Sequence, residues 1–474
     1  MELVEHRFTV TNQIKIRQNR FLFQILEKQR TELSFKEIEF TKKNIILFFN
    51  DYYCLNEIEK AFELLELYVS QNPNFLTKKL LFSLYCYFTN KVGDTSVAKR
   101  ISLIYSELTM ILTDFGKSAY GLPPVVEDRH FLFRIGEFIN QTASVQGAIK
   151  LGVIKEKPVL VIPKKPKISN TGFLPYIMET FEVVTNPEQG SHYESVLPLS
   201  PYSSVFHKFN DELWGCHDET RNKLNKILKK ENMGPIFFDL KDETTDIALK
   251  YLKKHSFSKK EEFVVFHCRE GGSEYDGYQN DDRNYDPYDF IPAIKYILSQ
   301  GLKVIRIGNN RMKPMEEIKG LLDLSQDDRP GEVDIFLCAK ARFYLGNPSG
   351  PHSLAYYFKT NVALVGLPNW TYGYSGIFTA LQPMRDTDTR KNLNFKERAE
   401  RGILEIESPK PLTNKKVMQV RLSSAEILLF VKEMFEFMSN GQILKENNLL
   451  YDRKEFFGVA GDVYFDRSSL ELLE

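Results

Sequence analysis

A chain of 474 residues is too long for one ordinary domain, and two or three are expected. Lysine plus arginine and aspartate plus glutamate both number 63, so the formal net charge is zero, which argues against a protein that coats nucleic acid. Hydrophobic residues at 42% and charged residues at 27% are the proportions of a soluble globular protein.

The five cysteines, Cys54, Cys86, Cys216, Cys268 and Cys338, are scattered without a Cys-x-x-Cys pair and read as buried free thiols of a reducing compartment. The start, Met-Glu-Leu-Val-Glu-His-Arg, has no apolar signal segment, and the longest apolar runs fall short of a membrane span. The expectation is a cytoplasmic protein, with peripheral contact at the inner face of a membrane left open.

Residues 1–118 are expected to be helical. Ile58, Phe62, Leu65 and Val69 recur at helical spacing, as do Leu80, Leu81, Leu84 and Tyr85, and Asn72-Pro73 ends one helix. Tyr52, Ala61 and Pro73 stand at the spacing of a single tetratricopeptide (TPR) unit. The reading is a TPR-like module, either a packed flank or a surface for docking.

A new pattern starts after Gly121-Leu-Pro-Pro124. Residues 130–135 are apolar and aromatic and read as a strand, Gly136-Glu137 follows, and a helix is expected through Val145, Ala148, Ile149 and Leu151. Residues 159–162 and 182–185 read as strands, and residues 221–229 and 248–254 as helices. Together these make a first βα domain over residues 119–255. Glu137, just after its strand, is a candidate general base facing a cleft; the other reading is an acid favoured by a helix start.

The pattern is clearest over residues 256–440. Residues 263–268 form a buried strand bounded by charge, with Arg269 and Glu270 at its carboxyl end. Gly271-Gly272 opens a polar loop carrying Asp276, Asp281, Asp282, Arg283 and Asn284. A helix follows, with Asp286 as N-cap, Pro287 in the first turn, Asp289 as capping-box partner and Phe290, Ile294, Ile297 and Leu298 as core face. Residues 303–307 are the next strand, ending at Gly308 before a loop to Lys313. Residues 334–367 then read as a short helix, a strand at 343–345, a tight turn, a helix from about Gly350 and a strand at 362–365. Gly346 and Gly350 let the backbone turn and approach a ligand, or simply shape the loop. Ser349 suits a cap and Pro351 a first helical turn, and the amides there make an anion site. Successive βα units imply a parallel sheet with ligands at the carboxyl ends of its strands. Arg269, the 308–313 loop and the 346–353 turn then share one edge, which points to phosphate or diphosphate.

Further on, Pro368-Asn-Trp-Thr-Tyr-Gly-Tyr374 reads as an aromatic, ligand-facing loop. Asp386-Thr-Asp388 has the spacing of a metal-binding Asp-x-Asp, but it sits in a polar run and reads as a turn. No metal site is assigned. Ser423-Ser-Ala-Glu426 is a capping box for a last helix. The tail, residues 441–474, is too apolar to hang free and is expected to pack back on the core, against the first domain.

The run His267-Cys-Arg269, then Arg283-Asn284, the strand Val304-Ile-Arg-Ile-Gly308 with Met312-Lys-Pro314, and the turn Ser349-Gly-Pro351 resemble, in this order, a family of bacterial putative glycosyltransferases. The resemblance spans about residues 119–435 and is strongest over 262–370. More distantly the pattern is similar to the ADP-heptose transferases of lipopolysaccharide synthesis, through Gly136-Glu137 and a T-G-P-x-H turn matched by Ser349, Gly350 and Pro351. Here His352 comes one position early and Ser353 takes its place, which departs from the heptose pattern. Arg269 after a strand-end His-x is similar, more weakly, to the donor-binding arginine of O-fucosyltransferases.

The resemblance implies an α/β chain of two Rossmann-like domains (GT-B architecture) behind the helical module. It implies transfer of a sugar from a nucleotide-diphosphate sugar to a glycan, lipid-linked or protein acceptor in polysaccharide biosynthesis, with no cofactor beyond that co-substrate and no nucleic acid. A metal-free diphosphate leaving group needs arginine, lysine and amides around it. The donor-binding candidates are Arg269, Arg283, Asn284, Gly308, Lys313, Asn347, Ser349, Gly350, His352 and Ser353. The catalytic candidates are Glu137 and His267, the latter equally readable as a packed histidine bonded to backbone. The alternatives are a non-catalytic binding or assembly protein with a degenerate cleft, and a GT-B-like epimerase.

Overall fold

The computed structural model describes residues 42–120, 125–126, 132–186, 208–209, 212–213, 224–270, 283–367, 377–403, 409–440, 450–452 and 462–465, less residues 74, 89–91, 93, 153, 155–156, 163–167, 225–226, 229 and 259. The remaining residues are not described. They include the Asp276–Asp282 acids, the aromatic loop after Leu367, Cys216 and most of the stretch read as a helix at 221–229.

Four helices come first: α1 (Lys42–Cys54), α2 (Ile58–Gln71), α3 (Phe75–Tyr87) and α4 (Thr95–Tyr120). They pack in consecutive pairs around their own core, which includes Phe49, Phe62, Leu65, Leu81, Phe88, Ile101 and Leu108. The helical spacing of apolar residues therefore does what it implies here. Cys54 is free and exposed, against the expectation of buried thiols, whereas Cys268 and Cys338 are free and buried. No helix among the described residues is long and apolar enough to cross a membrane.

A small parallel sheet follows, in the order β1 (Val125–Val126), β2 (Val159–Val161), β3 (Glu182–Val184). Helix α5 (Ile135–Lys150) links β1 to β2, and α6 (Leu174–Ile177) lies between β2 and β3. Among the described residues of the strand expected at 130–135 none is extended in a sheet: Leu132 and Phe133 are helical, and Ile135 opens α5. Phe138, Ile139, Thr142, Val145 and Ala148 are the buried residues of a helix, and the apolar run before them lacks the alternation that would have marked a half-buried strand. The hairpin β4 (Lys208–Phe209) and β5 (Glu212–Leu213) and helix α7 (Asp242–Leu252) lead into the larger unit.

That unit is built on β6 (Phe263–His267), α8 (Ile291–Ser299), β7 (Lys303–Arg306), β8 (Leu321–Asp323), α9 (Gly331–Lys340), β9 (Tyr344–Gly346), α10 (Pro351–Tyr357), β10 (Val362–Leu367) and β11 (Phe378–Leu381). After it come β12 (Met384–Asp386), α11 (Phe395–Glu400), α12 (Pro409–Asn414), β13 (Val417–Gln419), α13 (Ser424–Asn440), β14 (Leu450–Asp452) and β15 (Asp462–Phe465). The sheet runs β14-β15-β11-β10-β9-β6-β7-β8. From β8 to β11 every neighbouring pair is parallel. Numbered from β6 onward, those strands read 3-2-1-4-5-6, the doubly wound order whose direction of winding reverses between β6 and β9. The short strand β8 carries no run long enough to be seen in the sequence.

Both faces of this sheet are covered, which explains why its strands read as continuous apolar runs. Val264 and Phe266 point into one cluster with Ile294 and Ile297 of α8 and Phe430 and Val431 of α13. Phe263 and Val265 point into the other, with Val333 and Leu337 of α9 and Leu354 of α10. The second cluster also holds Phe138, Phe173, Tyr176 and Phe238, so a single core joins the small sheet to the large one. Helix α13 starts as expected: the Ser423 amide donates to Glu426 Oε2 at 2.7 Å, a closed capping box. Within the tail, β15 pairs in parallel with β11 and antiparallel with β14, so these two strands extend the large sheet.

Candidate functional site

The carboxyl ends of β6 and β9 lie side by side, with His267 in register with Gly346. The sequence-predicted residues around Arg269 and Ser349 therefore converge at the reversal point of the sheet, where ligands of doubly wound folds bind. What each side chain does there is more specific than its position.

Asn347 is fully buried. Its Oδ1 accepts from the Arg269 amide at 2.7 Å, and its Nδ2 donates to the carbonyls of Arg269 at 3.1 Å and Arg283 at 2.6 Å. The side chain read as a ligand donor is thus a clamp that holds both ends of the 270–282 segment, and with them the two candidate arginines, against β9. Asn284 is buried as well, and its Oδ1 accepts from Arg269 Nε at 3.1 Å, fixing that guanidinium.

His267 is 3% exposed and bonded through both ring nitrogens: Nδ1 lies 3.1 Å from the Ile307 carbonyl and Nε2 2.9 Å from Ser349 Oγ. Burial lowers its pKa to about 4, helped by the charges of Arg306, Arg269 and Arg329. The ring is thus bonded to backbone on one side and to a serine hydroxyl on the other, and its lowered pKa makes it a weak base. Ser349 does not cap the next helix. Gly350 holds the N-cap position with Pro351 in the first turn, and the Ser349 amide donates to His352 Nδ1 at 3.2 Å. Ser353 is buried in the same turn.

The two turn glycines have a structural use. A Cβ on Gly346 would stand 2.4 Å from the His267 carbonyl oxygen, and one on Gly350 2.6 Å from Ile135 Cγ2 and 2.8 Å from the Gly136 nitrogen. The space they leave is occupied by neighbouring protein, not kept open for a ligand. Helix α5 of the small-sheet unit thereby packs its first turn on the start of α10. Glu137 lies in that first turn and not at a strand end, with Oε2 3.5 Å from Gln141 Nε2.

The Gly308–Lys313 loop is fixed by charges that local reading of the sequence missed. Arg306 is fully buried, pairs with Glu270 through Nη2, and donates from Nη1 to Asp323 Oδ2 at 2.9 Å and to the Lys313 carbonyl at 2.6 Å. Glu270 Oε2 accepts from the Lys313 amide at 2.8 Å. Burial pushes the Glu270 carboxyl up, against the pull of the Lys313 amide and Arg306. Burial also works against the Asp323 carboxylate, yet the amides of Met315 and Ser325 and the Arg306 charge hold it below the usual range. Arg329, a second missed cation, donates to the Gly308 carbonyl at 2.8 Å and pairs with Asp334 at 2.7 Å. Lys313 Nζ is itself exposed and bonded to Asp286 at 3.0 Å. The signal available in the sequence was the charge inside the apolar strand Val304-Ile-Arg-Ile, since a buried charge calls for partners.

Asp386 ends β12 and residues 387–389 form the turn after it, so the Asp-x-Asp does follow a strand, against the sequence reading. Asp386 Oδ1 accepts from the amides of Asp388 at 2.9 Å and Thr389 at 2.7 Å, Arg401 pairs with Asp386 at 2.6 Å and Lys416 with Asp388 at 2.7 Å. The Asp286 cap is also as read, its Oδ1 accepting from the Tyr288 amide at 3.1 Å.

No family model and no curated protein matches the chain. Several solved structures are similar to it. A glycosyl transferase family 9 protein from Veillonella parvula is 12% identical, with 52% of this chain and 80% of that one covered at a TM-score of 0.32. ADP-heptose lipopolysaccharide heptosyltransferase II of E. coli is 10% identical, covering 51% and 83% at a TM-score of 0.34. E. coli heptosyltransferase WaaC, solved with ADP, is 12% identical, covering 66% and 97% at a TM-score of 0.35.

Proposed function

We propose that this protein is a glycosyltransferase of GT-B type. It moves a sugar from a nucleotide-diphosphate sugar to a glycan, lipid-linked or protein acceptor, without a metal. The observation that carries the reading is the strand order from β8 to β11, whose reversal between β6 and β9 coincides with Arg269, Arg283 and the Ser349–Ser353 turn. The order of motifs from His267 to Pro351 supports it independently. In this reading residues 256–440 carry the donor, residues 119–255 carry the acceptor, and residues 1–118 are a helical module that docks on a partner or a membrane.

Arg269 and Arg283 meet the diphosphate charge as the glycosidic bond to the leaving group breaks. Asn347 and Asn284 hold them ready, so little ordering is left for the moment of binding. Glu137 and His267 are the candidate bases, and His267, buried and of lowered pKa, is the weaker of the two. That low basicity favours the second reading, a binding protein with a degenerate cleft, because it weakens one of the two candidate catalytic groups.

Turnover separates the two. A panel of nucleotide sugars, tested for hydrolysis and for transfer with and without EDTA, should show turnover that survives the chelator. Binding without turnover favours the second reading, and loss of turnover restored by manganese or magnesium refutes metal independence. Arg269→Ala should weaken nucleotide-diphosphate affinity by about 2–4 kcal/mol, the scale for losing one partner of a desolvated charge pair. Unchanged affinity in the folded variant, measured by calorimetry, would remove Arg269 from the site.

A further inference from the structure

We propose that Ser349 meets the ligand as a hydrogen-bond acceptor that reads a hydroxyl group of the donor, not as a donor to phosphate, and that His267 is the positioning residue that fixes it in that role. This rests on the nucleotide-sugar reading above.

The Ile307 carbonyl, 3.1 Å from His267 Nδ1, has no hydrogen to give, so Nδ1 carries the ring proton. In a neutral imidazole Nε2 is then a lone pair. The contact of 2.9 Å between Nε2 and Ser349 Oγ must be the serine hydroxyl donating. Neutrality follows from the setting: the ring is buried, and the charged groups that act on it, Arg306, Arg269 and Arg329, are all cations. The other polar hydrogen of Ser349, on its amide, is directed to His352 Nδ1 at 3.2 Å. Both hydrogens of Ser349 are therefore used inside the protein.

Half-buried at the turn after β9, Ser349 has only oxygen lone pairs to offer a ligand. Against a phosphate oxygen those lone pairs repel. Against an O–H they complete a hydrogen bond. The hydroxyl can belong to the ribose or to the transferred sugar, and the two are separable by experiment.

Calorimetry with the full chain would use inorganic pyrophosphate, then UDP, GDP and ADP, then UDP-glucose, GDP-mannose and ADP-glucose, on wild type, Ser349→Ala and Ser349→Thr. Pyrophosphate affinity should stay within about twofold in both variants, because no donor to phosphate is lost. In Ser349→Ala the nucleoside diphosphates should weaken about tenfold if the ribose is read. Only the sugar conjugates should weaken if the transferred sugar is read. Ser349→Thr, which keeps the hydroxyl, should restore the affinity. A tenfold loss of pyrophosphate binding in Ser349→Ala, or no loss for any ligand, overturns the proposal while the nucleotide reading stands. Failure of the wild type to bind any of these ligands overturns both. Nitrogen NMR of labelled histidine, with His267→Gln for assignment, should find His267 at neutral pH protonated on Nδ1 alone. Protonation on Nε2 overturns the acceptor assignment without reference to any ligand.

Discussion

Gly136 and Gly350 meet backbone to backbone. A Cβ on Gly136 would stand 2.9 Å from Gly350 Cα, which brings the first turn of α5 against the start of α10. The contact sets the distance between Glu137 and the Ser349–Ser353 turn, and so between the acceptor side and the donor side of the proposed site. A second approach of the same kind joins the units nearby: a Cβ on Gly172 would stand 2.5 Å from the Glu332 nitrogen, and Asn170 Nδ2 donates to the Gly331 carbonyl at 3.0 Å.

Gly350→Ala should damage this contact, because its methyl meets the Gly136 nitrogen at 2.8 Å, which is backbone and cannot swing aside, as well as Ile135 Cγ2 at 2.6 Å. Overpacking of this kind costs about 1–3 kcal/mol. Urea unfolding should show that loss, together with weakened nucleotide binding in the folded protein. Wild-type stability and affinity in Gly350→Ala would mean that the helices separate freely and the contact positions nothing.

The βα units from Phe263 to Leu367 were legible because parallel strands covered on both faces are apolar throughout and end in glycine or charge. The same rule failed at residues 130–135, whose sequence looks like a strand although Leu132 and Phe133 are helical. The true strand, Val125–Val126, is two residues long, below what any pattern reveals. At the candidate site several side chains have partners that the sequence does not show. Asn347 and His267 bond to groups far off in sequence, and hydrogen bonds across 78 and 82 positions leave no local trace. A glycine-bearing turn looks the same whether it faces a ligand or another helix.

Arg306 links the ends of β6, β7 and β8 through Glu270 and Asp323, and through Lys313 it sets the loop at the mouth of the site. Arg306→Met keeps the bulk and strands two carboxylates, a loss of about 3–5 kcal/mol for breaking a buried pair. Adding Glu270→Gln to that variant should recover part of the loss, since the two residues share one network. Strict additivity of the two substitutions in denaturant titrations would show that the pair is not coupled.

His267 makes stability depend on pH in a defined window. Its folded pKa of about 4 lies below the ordinary 6.5, because burial resists the charged ring. Between those values the unfolded chain takes up a proton that the folded chain refuses. The contribution is fully present above pH 6.5 and is lost as pH falls toward 4, by about 1.4 kcal/mol per unit. His267→Gln should have a flatter profile across that range, whatever its stability at pH 7. Urea midpoints for both proteins at several pH values check this, and parallel profiles would assign the effect to other groups.

Glu137 carries the last prediction. The acceptor hydroxyl needs a group to take its proton as the new bond forms, and His267, buried and of lowered pKa, is a weak base. Glu137 follows Gly136 in the first turn of α5, one residue from the contact with Gly350. In the proposed arrangement this residue comes from the acceptor side. Glu137→Gln keeps the size and removes the basicity. Transfer should slow by about 10²–10⁴-fold, the usual scale for general base catalysis, with donor affinity nearly unchanged. The competing role is electrostatic, since an acid in the first turn of a helix stabilises it by about 0.3–1 kcal/mol. In that case the variant loses a little stability and keeps its rate. Single-turnover kinetics on the folded variant, run beside its unfolding curve, tells the two apart. A wild-type rate would take Glu137 out of the mechanism and leave the base to be sought among the acids of the segment that Asn347 clamps.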